Sequence, residues 1–99
     1  MTQDKIIADL RSQEATLRRH GVARLFLFGS YARGEAKAGS DIDIFIDPTN
    51  VDTFGFDAFM DTYEAIRETF PGKKIGYSTR EGIGRHFRPT VEEEAVQVF

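Results

Sequence analysis

The sequence predicts an α/β (α+β) fold in which helices flank a small mixed β-sheet. Three observations indicate this class: two segments with helical apolar periodicity, three short apolar or alternating runs typical of strands, and the order in which these alternate along the chain. A chain of 99 residues has the usual size of one hydrophobic core. We therefore expect a single domain over residues 1–99.

The N-terminal segment is predicted to be a helix. Within Thr2–His20, Ile6, Leu10 and Leu17 fall close to one helical face. Gly21 then follows a basic last turn, as at many helix C-termini.

Two strands are predicted next. Val22–Phe28 is short and dense in apolar residues, which indicates a strand buried on both faces, and it ends at the Gly29-Ser30 pair. Residues 31–40 hold two glycines among small and charged residues, so we expect a short helical turn and a loop there. Asp41–Asp47 alternates acidic and apolar residues, which predicts the second strand.

The second half of the chain repeats this alternation of elements. Apolar residues at three- and four-residue steps predict a helix over Phe56–Phe70, and Lys73–Ser78 is predicted to be a third strand. Val91–Val96 is expected to form a last helical turn, and Val96–Phe99 to add a strand or cap the core. The phenylalanines expected mainly in the core are Phe54, Phe56, Phe59 and Phe70.

The composition restricts the possible functions. The chain has no cysteine, which excludes disulfides, thiolate nucleophiles and zinc–cysteine sites. Its net charge of −3 argues against sequence-independent binding to a nucleic-acid backbone. No apolar run is long enough to span a bilayer and no secretory leader is evident, so we expect a cytoplasmic protein.

One constellation of residues indicates chemistry: Gly29-Ser30, then ten residues, then Asp41-Ile42-Asp43. Because strand side chains alternate between faces, the two aspartates should point the same way and Ile42 the other. Adjacent carboxylates repel each other unless a cation lies between them, and Mg²⁺ prefers such oxygens together with substrate phosphates. Gly29 permits close approach of a ligand, and Ser30 offers a hydroxyl and an N–H to a phosphate.

Each part of this constellation also has a plainer explanation. A Gly-Ser pair after a strand is usually only a turn, and an alternating acidic strand is more often a solvated face than a metal site. The combination and its spacing favour a site. The acidic run Glu92–Glu94 has no such companion pattern and is interpreted as a solvated helical face.

The run LFGSYARGEAKAGSDIDIFI resembles the signature of the minimal nucleotidyltransferases of the polymerase-beta-like superfamily. Gly-Ser, Ala-Arg-Gly and Ser-Asp-Ile-Asp are all present at the family spacing. Chain length and the predicted order of elements are similar too, so the resemblance covers nearly the whole chain. It implies the palm-like nucleotidyltransferase fold of that superfamily.

The resemblance also implies roles for individual residues. Gly29 and Ser30 would hold the triphosphate of a nucleotide, expected to be ATP. Asp41 and Asp43 would bind Mg²⁺ and be the catalytic carboxylates, and Arg33 would support the loop or contact phosphate. Family members transfer a nucleoside monophosphate to a hydroxyl and release pyrophosphate. Many are antitoxins encoded beside HEPN-domain toxins, so a HEPN-like protein is the expected partner, and some modify that partner.

The sequence departs from the family pattern at one position. Active members carry a third carboxylate on the next strand, which completes the metal site and helps to deprotonate the acceptor. In the matching segment, Ile75–Thr79, this position is Gly76, which has no oxygen to offer. Three explanations remain open: another acid (Asp57, Asp61 or Glu64) substitutes, two carboxylates suffice for weak or specialised transfer, or the chain binds nucleotide or a partner without turnover.

Overall fold

The computed structural model describes residues 1–99 as helices and strands joined by short connections. In chain order the elements are α1 (Gln3–Arg11), α2 (Glu14–Arg19), β1 (Val22–Phe28), α3 (Ser30–Arg33), β2 (Ile42–Pro48), α4 (Phe56–Thr69), β3 (Ile75–Thr79), a 3₁₀ turn (Arg80–Gly82), α5 (Arg88–Glu94) and β4 (Val96–Gln97). None of these helices has the length and apolar character needed to cross a membrane.

The strands form one mixed sheet in the order β3-β2-β1-β4. β2 runs antiparallel to β1 and parallel to β3, and β4 pairs antiparallel with the other side of β1. α4 supplies the crossover that a parallel pair of strands requires. The predicted class, a small mixed sheet flanked by helices, is therefore confirmed.

One face of the sheet carries the hydrophobic core. Ile42, Ile44 and Ile46 alternate along β2 and are fully buried. They belong to a cluster with apolar side chains of α1, α2 and α4 and with Phe70, which directly follows α4. The helix residues are Ile6, Leu10, Leu17 and Ile66. Because strand side chains alternate, burial of these isoleucines directs the residues between them, Asp43 among them, to the opposite face.

The N-terminal segment is two helices, where the sequence predicted one. α1 ends at Arg11, and α2 begins at Glu14. The Ser12 hydroxyl donates to the carbonyl of Asp9, a local hydrogen bond of the kind that lets serine compete with continued helix. The break leaves the apolar stripe intact, because Leu17 is buried with the core side chains of α1.

The C-terminal elements differ from prediction at their ends. α5 begins at Arg88, before the predicted start at Val91, and includes Pro89. Proline is well tolerated in the first turn of a helix, where its missing N–H costs nothing. Val96 and Gln97 form an edge strand. Val98 is buried in the core cluster and Phe99 packs against it, so this segment both adds a strand and caps the core.

The expectation that Phe56 belongs to the core is also wrong. Phe70 is buried, whereas Phe56 is 75% exposed and Phe54 and Phe59 are half-buried. Phe56 is the first residue of α4, so its side chain lies beyond the part of the helix that packs on the sheet.

The second face of the sheet is aromatic at its centre and charged at one end. The rings of Phe26 and Phe45 stack with centroids 4.6 Å apart, and the Arg80 guanidinium lies 4.9 Å and 5.0 Å from their centroids. Nε and Nη2 of Arg80 each donate to Asp47 at 2.8 Å, and Nε of Arg24 donates to it at 3.0 Å. These ion pairs cover the stacked rings of Phe26 and Phe45 and join β1, β2 and the turn after β3.

Asp47 makes the stability of the fold sensitive to acid. Hydrogen bonds from Arg80, and to a smaller extent from Arg24, hold the pKa of Asp47 below its ordinary value in spite of its burial. A carboxyl whose pKa is lowered by folding adds stability above its unfolded pKa of about 3.9, and this stability is lost as pH falls through the folded value. Asp47→Asn should therefore lower the free energy of unfolding by about 1–3 kcal/mol at pH 7 and much less near pH 3.

Urea unfolding of both proteins at pH 7, 5 and 3 measures this difference. Asp52→Asn, at an exposed loop position, is the matched control. If the wild-type and Asp47→Asn curves stay the same distance apart at all three pH values, Asp47 does not supply the acid-sensitive stability.

Candidate active site

The turn after β1 has a backbone conformation that requires glycine. Gly29 has φ 74° and ψ −154°, a region that is essentially closed to residues with a Cβ. Ser30 follows as the first residue of α3, and the N–H of Arg33 donates to the carbonyl of Gly29 at 3.1 Å. We call Gly29 and Ser30 the Gly29–Ser30 turn. It lies where β1 ends, at the same end of the sheet as the first residue of β2.

The carboxylate of Asp43 lies between two glycines on the neighbouring strands. In the sheet, Asp43 pairs with Phe28 of β1 and with Gly76 of β3. A Cβ added at Gly29 would overlap Oδ2 of Asp43, and one added at Gly76 would overlap Oδ1. The two glycines therefore leave a cradle that the Asp43 carboxylate fills from one strand to the other.

Asp41 lies beside Asp43 on the same side of the sheet, just before β2 begins. Burial raises the pKa of Asp43, and the negative charge of Asp41 raises it further, as does that of Glu94, while Arg33 lowers it. Asp41 itself is exposed. The structure thus brings the acids of the second strand to the turn that leaves the first strand, which is the juxtaposition that the spacing in the sequence suggested.

Arg33 is engaged within the chain. Its Nε donates to Oε1 of Glu35 at 2.7 Å, and its Nη1 is 3.1 Å from Oε2 of Glu94. These contacts fit the loop-supporting role that the resemblance left open for Arg33, and Nη2 makes no hydrogen bond within the chain.

Glu94 is a residue of this region that the sequence interpretation missed. Its Oε1 accepts a hydrogen bond from the Gly29 N–H at 3.1 Å, and its side chain is only 18% exposed. The solvated face predicted for Glu92–Glu94 is therefore wrong for Glu94. Glu92 is also paired, with Arg80, and only Glu93 is exposed without a partner.

Gly76 occupies the position from which a third carboxylate would face the pair. It lies next to Asp43 and has no side chain, and Oδ1 of Asp43 fills the space that a Cβ would take there. The neighbouring Tyr77 points to the opposite face, where it stacks on Phe59 and Tyr63 of α4.

The acids of α4 do not reach this site. Because α4 packs on the far side of the sheet, its acidic residues are separated from Asp43 by the strands themselves. The explanation in which one of them substitutes for the missing acid is therefore wrong. These residues are Asp57, Asp61 and Glu64.

The donor set fits a divalent cation that is shared with a substrate. No three His, Asp or Glu side chains are grouped closely enough to hold a metal ion by themselves. Asp41 and Asp43 form a pair: burial, and then the negative charge of Asp41, raise the pKa of Asp43. Mg²⁺ typically takes one or two carboxylates and completes its octahedral shell with water and phosphate oxygens. Two aspartates and a triphosphate meet that requirement.

The largest cleft lies elsewhere. It has a volume of about 330 Å³ and is found at the other end of β2. Its walls are Arg24, Asp47, Pro48, Val51, Phe54, Thr79, Arg80 and Glu81. None of the predicted site residues lines it. At the candidate site Gly29 is buried, Ser30 and Asp43 are half-buried, and Asp41 is exposed. We assign the site by its chemistry, because the arginines of the cleft are already paired with Asp47.

Comparison with known families assigns the chain to a class. The family model described as a nucleotidyltransferase domain matches residues 10–98, so the chain belongs to the nucleotidyltransferase domain family.

Individual proteins place it within that class. The chain is similar to the protein adenylyltransferase MntA of Thermococcus cleftensis, with 46% identity over 99 residues, 99% of this chain and 97% of that protein. A solved structure provisionally named a minimal nucleotidyltransferase has a TM-score of 0.80 at 25% identity, covering 97% of this chain and 95% of the other. The resemblance to minimal nucleotidyltransferases is thereby confirmed.

A second solved structure shares the fold. A chain of a toxin–antitoxin crystallised with AMP-PNP has a TM-score of 0.66 at 21% identity, covering 100% of this chain and 73% of that one. At this identity the likeness shows a common architecture.

Proposed function

We propose that this chain binds a magnesium complex of ATP at the Gly29–Ser30 turn and transfers AMP to a hydroxyl of a partner protein. The observation that carries the proposal is the position of Asp43, whose carboxylate lies between Gly29 and Gly76 with Asp41 beside it. The 46% identity to a protein adenylyltransferase over the whole chain supports the choice of AMP and of a protein acceptor.

In the proposed reaction, the acceptor oxygen attacks the α-phosphorus of ATP. A new oxygen–phosphorus bond forms, the bond to the bridging oxygen breaks, pyrophosphate leaves, and the acceptor proton passes to water. Asp41 and Asp43 would hold Mg²⁺, which supplies charge neutralisation at the phosphate oxygens when bound. Ser30 would donate its hydroxyl to the triphosphate, and the missing side chain at Gly29 leaves room for the Asp43 carboxylate beside the turn.

The protein partner is proposed from two lines of support. The sequence resembles antitoxins that act on HEPN-domain toxins, and a chain of a toxin–antitoxin shares this fold. We propose that the acceptor is such a HEPN-like toxin and that both proteins act in the cytoplasm. The whole of residues 1–99 would serve as one nucleotidyltransferase domain.

A second candidate function is favoured by Gly76. Without a third carboxylate, the chain has no group placed to accept the proton of the acceptor, and losing a general base commonly lowers a rate by about 10²–10⁴-fold. In this alternative the chain neutralises the toxin by contact, with or without bound nucleotide, and no transfer occurs.

Radiolabelled ATP distinguishes the two functions. The purified chain, Mg²⁺ and the product of the adjacent gene are incubated with ATP labelled either at the α- or at the γ-phosphate. We expect covalent label on the partner from the α-label only, and none with Asp41→Ala or Asp43→Ala. Inhibition of the partner without covalent label from either ATP would favour neutralisation by contact.

A further inference from the structure

Glu94 lies where the C-terminal segment meets the Gly29–Ser30 turn. β4 pairs with β1 at Val96 and Leu27. Glu94 is the last residue of α5, two residues before β4 begins. The docking of β4 on β1 therefore brings the end of α5 to the turn that follows β1.

One carboxylate serves two partners on the turn. Oε1 of Glu94 accepts from the Gly29 N–H at 3.1 Å, and Oε2 lies 3.1 Å from Nη1 of Arg33. Hydrogen bonds with at least one charged partner are shorter and stronger than those between neutral groups. The neighbouring Glu93 is exposed and makes neither contact.

These contacts fix one of the several backbone conformations that are open to glycine. At φ 74° and ψ −154°, Gly29 lies in the mirror-image β region, which glycine populates about as readily as the β region itself. The peptide group after Gly29 is held by the Arg33 N–H, which donates to the Gly29 carbonyl at 3.1 Å. The peptide group before it is held by Glu94. Both sides of the turn are thus fixed, one by α3 and the other by the C-terminal segment.

We propose that Glu94 is a positioning residue of the candidate active site, which fixes the Gly29–Ser30 turn and Arg33 through its carboxylate and makes the site dependent on docked β4. The inference rests on the proposed function, since that function names the nucleotide for which the turn is ordered. Glu94 acts through Gly29 and Arg33, and no contact between Glu94 and the nucleotide is assigned.

The first test needs no nucleotide. ¹H–¹⁵N spectra of the full chain are compared for wild type, Glu94→Ala, Glu94→Gln and the matched control Glu93→Ala. We expect the Gly29 amide to shift and to exchange faster with solvent in Glu94→Ala, and to stay near its wild-type position in Glu94→Gln, whose amide oxygen can still accept. If the Gly29 amide is unchanged in Glu94→Ala, or responds equally to Glu93→Ala, the inference is overturned.

The second test measures binding of AMP-PNP with Mg²⁺ by calorimetry. Partners that orient ligand-binding groups typically contribute about 10–100-fold in affinity, so Glu94→Ala should raise Kd by that factor, Glu94→Gln by less, and Glu93→Ala not at all. Because Glu94 acts through Arg33, the double variant with Arg33→Ala should lose less than the product of the two single losses.

Opposite results separate the possible failures. Tighter binding by Glu94→Ala and Glu94→Gln would mean that Glu94 is an internal anion competing with phosphate. Unchanged binding would mean that Glu94 has no part in nucleotide binding. Either result overturns the inference. If wild type binds no AMP-PNP, the proposed function fails, and the Gly29 amide still decides whether Glu94 positions the turn. Should Glu94→Ala fail to fold, the isosteric Glu94→Gln decides by its Kd for AMP-PNP. This Kd should still rise, because the bond to Arg33 is lost.

Discussion

Asp43→Asn is expected to weaken binding of Mg²⁺ and ATP by at least about 100-fold, more than the loss of a group that merely orients a metal ligand. Asparagine has the shape of aspartate and fits the same cradle between Gly29 and Gly76, so the loss would report the missing charge. A neutral amide neither attracts Mg²⁺ nor offers two anionic oxygens to it. Calorimetric titration with Mg²⁺ and AMP-PNP measures the effect.

The same variant should be more stable than wild type at neutral pH. Burial, and then the charge of Asp41, raise the pKa of Asp43 above its ordinary value. A carboxyl whose pKa is raised by folding favours the folded state below its unfolded pKa, and this contribution is lost as pH rises through the folded value. At pH 7 the charged Asp43 carboxylate therefore lowers the stability of the unliganded protein, and Asp43→Asn removes this charge.

Thermal unfolding therefore controls the binding experiment. Asp52→Asn, at an exposed loop position, should leave both binding and stability unchanged. Loss of binding together with a lower melting temperature in Asp43→Asn would indicate general damage to the fold and would count against the site. Unchanged binding would remove Asp43 from the site altogether.

Gly76→Asp is expected to raise the rate of AMP transfer by about 10²–10⁴-fold, the range in which a general base usually contributes. Gly76 lies directly beside Asp43 on the parallel strand, and it is not among the glycines with positive φ, so aspartate can adopt its backbone conformation. The new side chain would meet Oδ1 of Asp43, which must rotate away. Rotation is feasible because the contact involves the end of a side chain.

Gly76→Asn is the matched control, since it adds the same volume without a base. The expected gain should be absent in Gly76→Asn and in the double variant Gly76→Asp, Asp43→Asn. Initial rates of label transfer from α-labelled ATP measure all four proteins. A higher rate of transfer by Gly76→Asn would show that the added volume at position 76 causes the gain, and not the carboxylate. No gain in any variant would mean that Asp41 and Asp43 are not placed for transfer.

The part of the site formed by β1 and β2 could be predicted because it is local in sequence. The alternation Asp41-Ile42-Asp43 fixes the side of the sheet on which Asp43 lies once Ile42 is known to be buried, and Ile42 is fully buried. The Gly29–Ser30 turn ends a strand that pairs with the next strand along the chain. One antiparallel pairing is enough to bring these residues together.

The remaining features depend on pairings that the sequence does not reveal. Glu94 reaches Gly29 only through the register of a two-residue strand, and a two-residue strand has no periodicity to read. The break near Ser12 coincides with a hydrogen bond from the Ser12 hydroxyl to the carbonyl of Asp9, which the apolar periodicity does not reveal. Phe56 carries the apolar pattern of α4 but lies at its first residue, beyond the sheet, so periodicity alone assigned it wrongly to the core.

The location of the nucleotide can be measured with Mn²⁺, which is paramagnetic and takes the same oxygen ligands as Mg²⁺. Titrating the ¹⁵N-labelled chain with substoichiometric Mn²⁺ and AMP-PNP should broaden the amide signals nearest the ion first. We predict that Gly29, Ser30, Asp43 and Gly76 broaden together, ahead of every residue of α4. Broadening centred on α4, or on the cleft beside Asp47, would contradict the assignment of the active site.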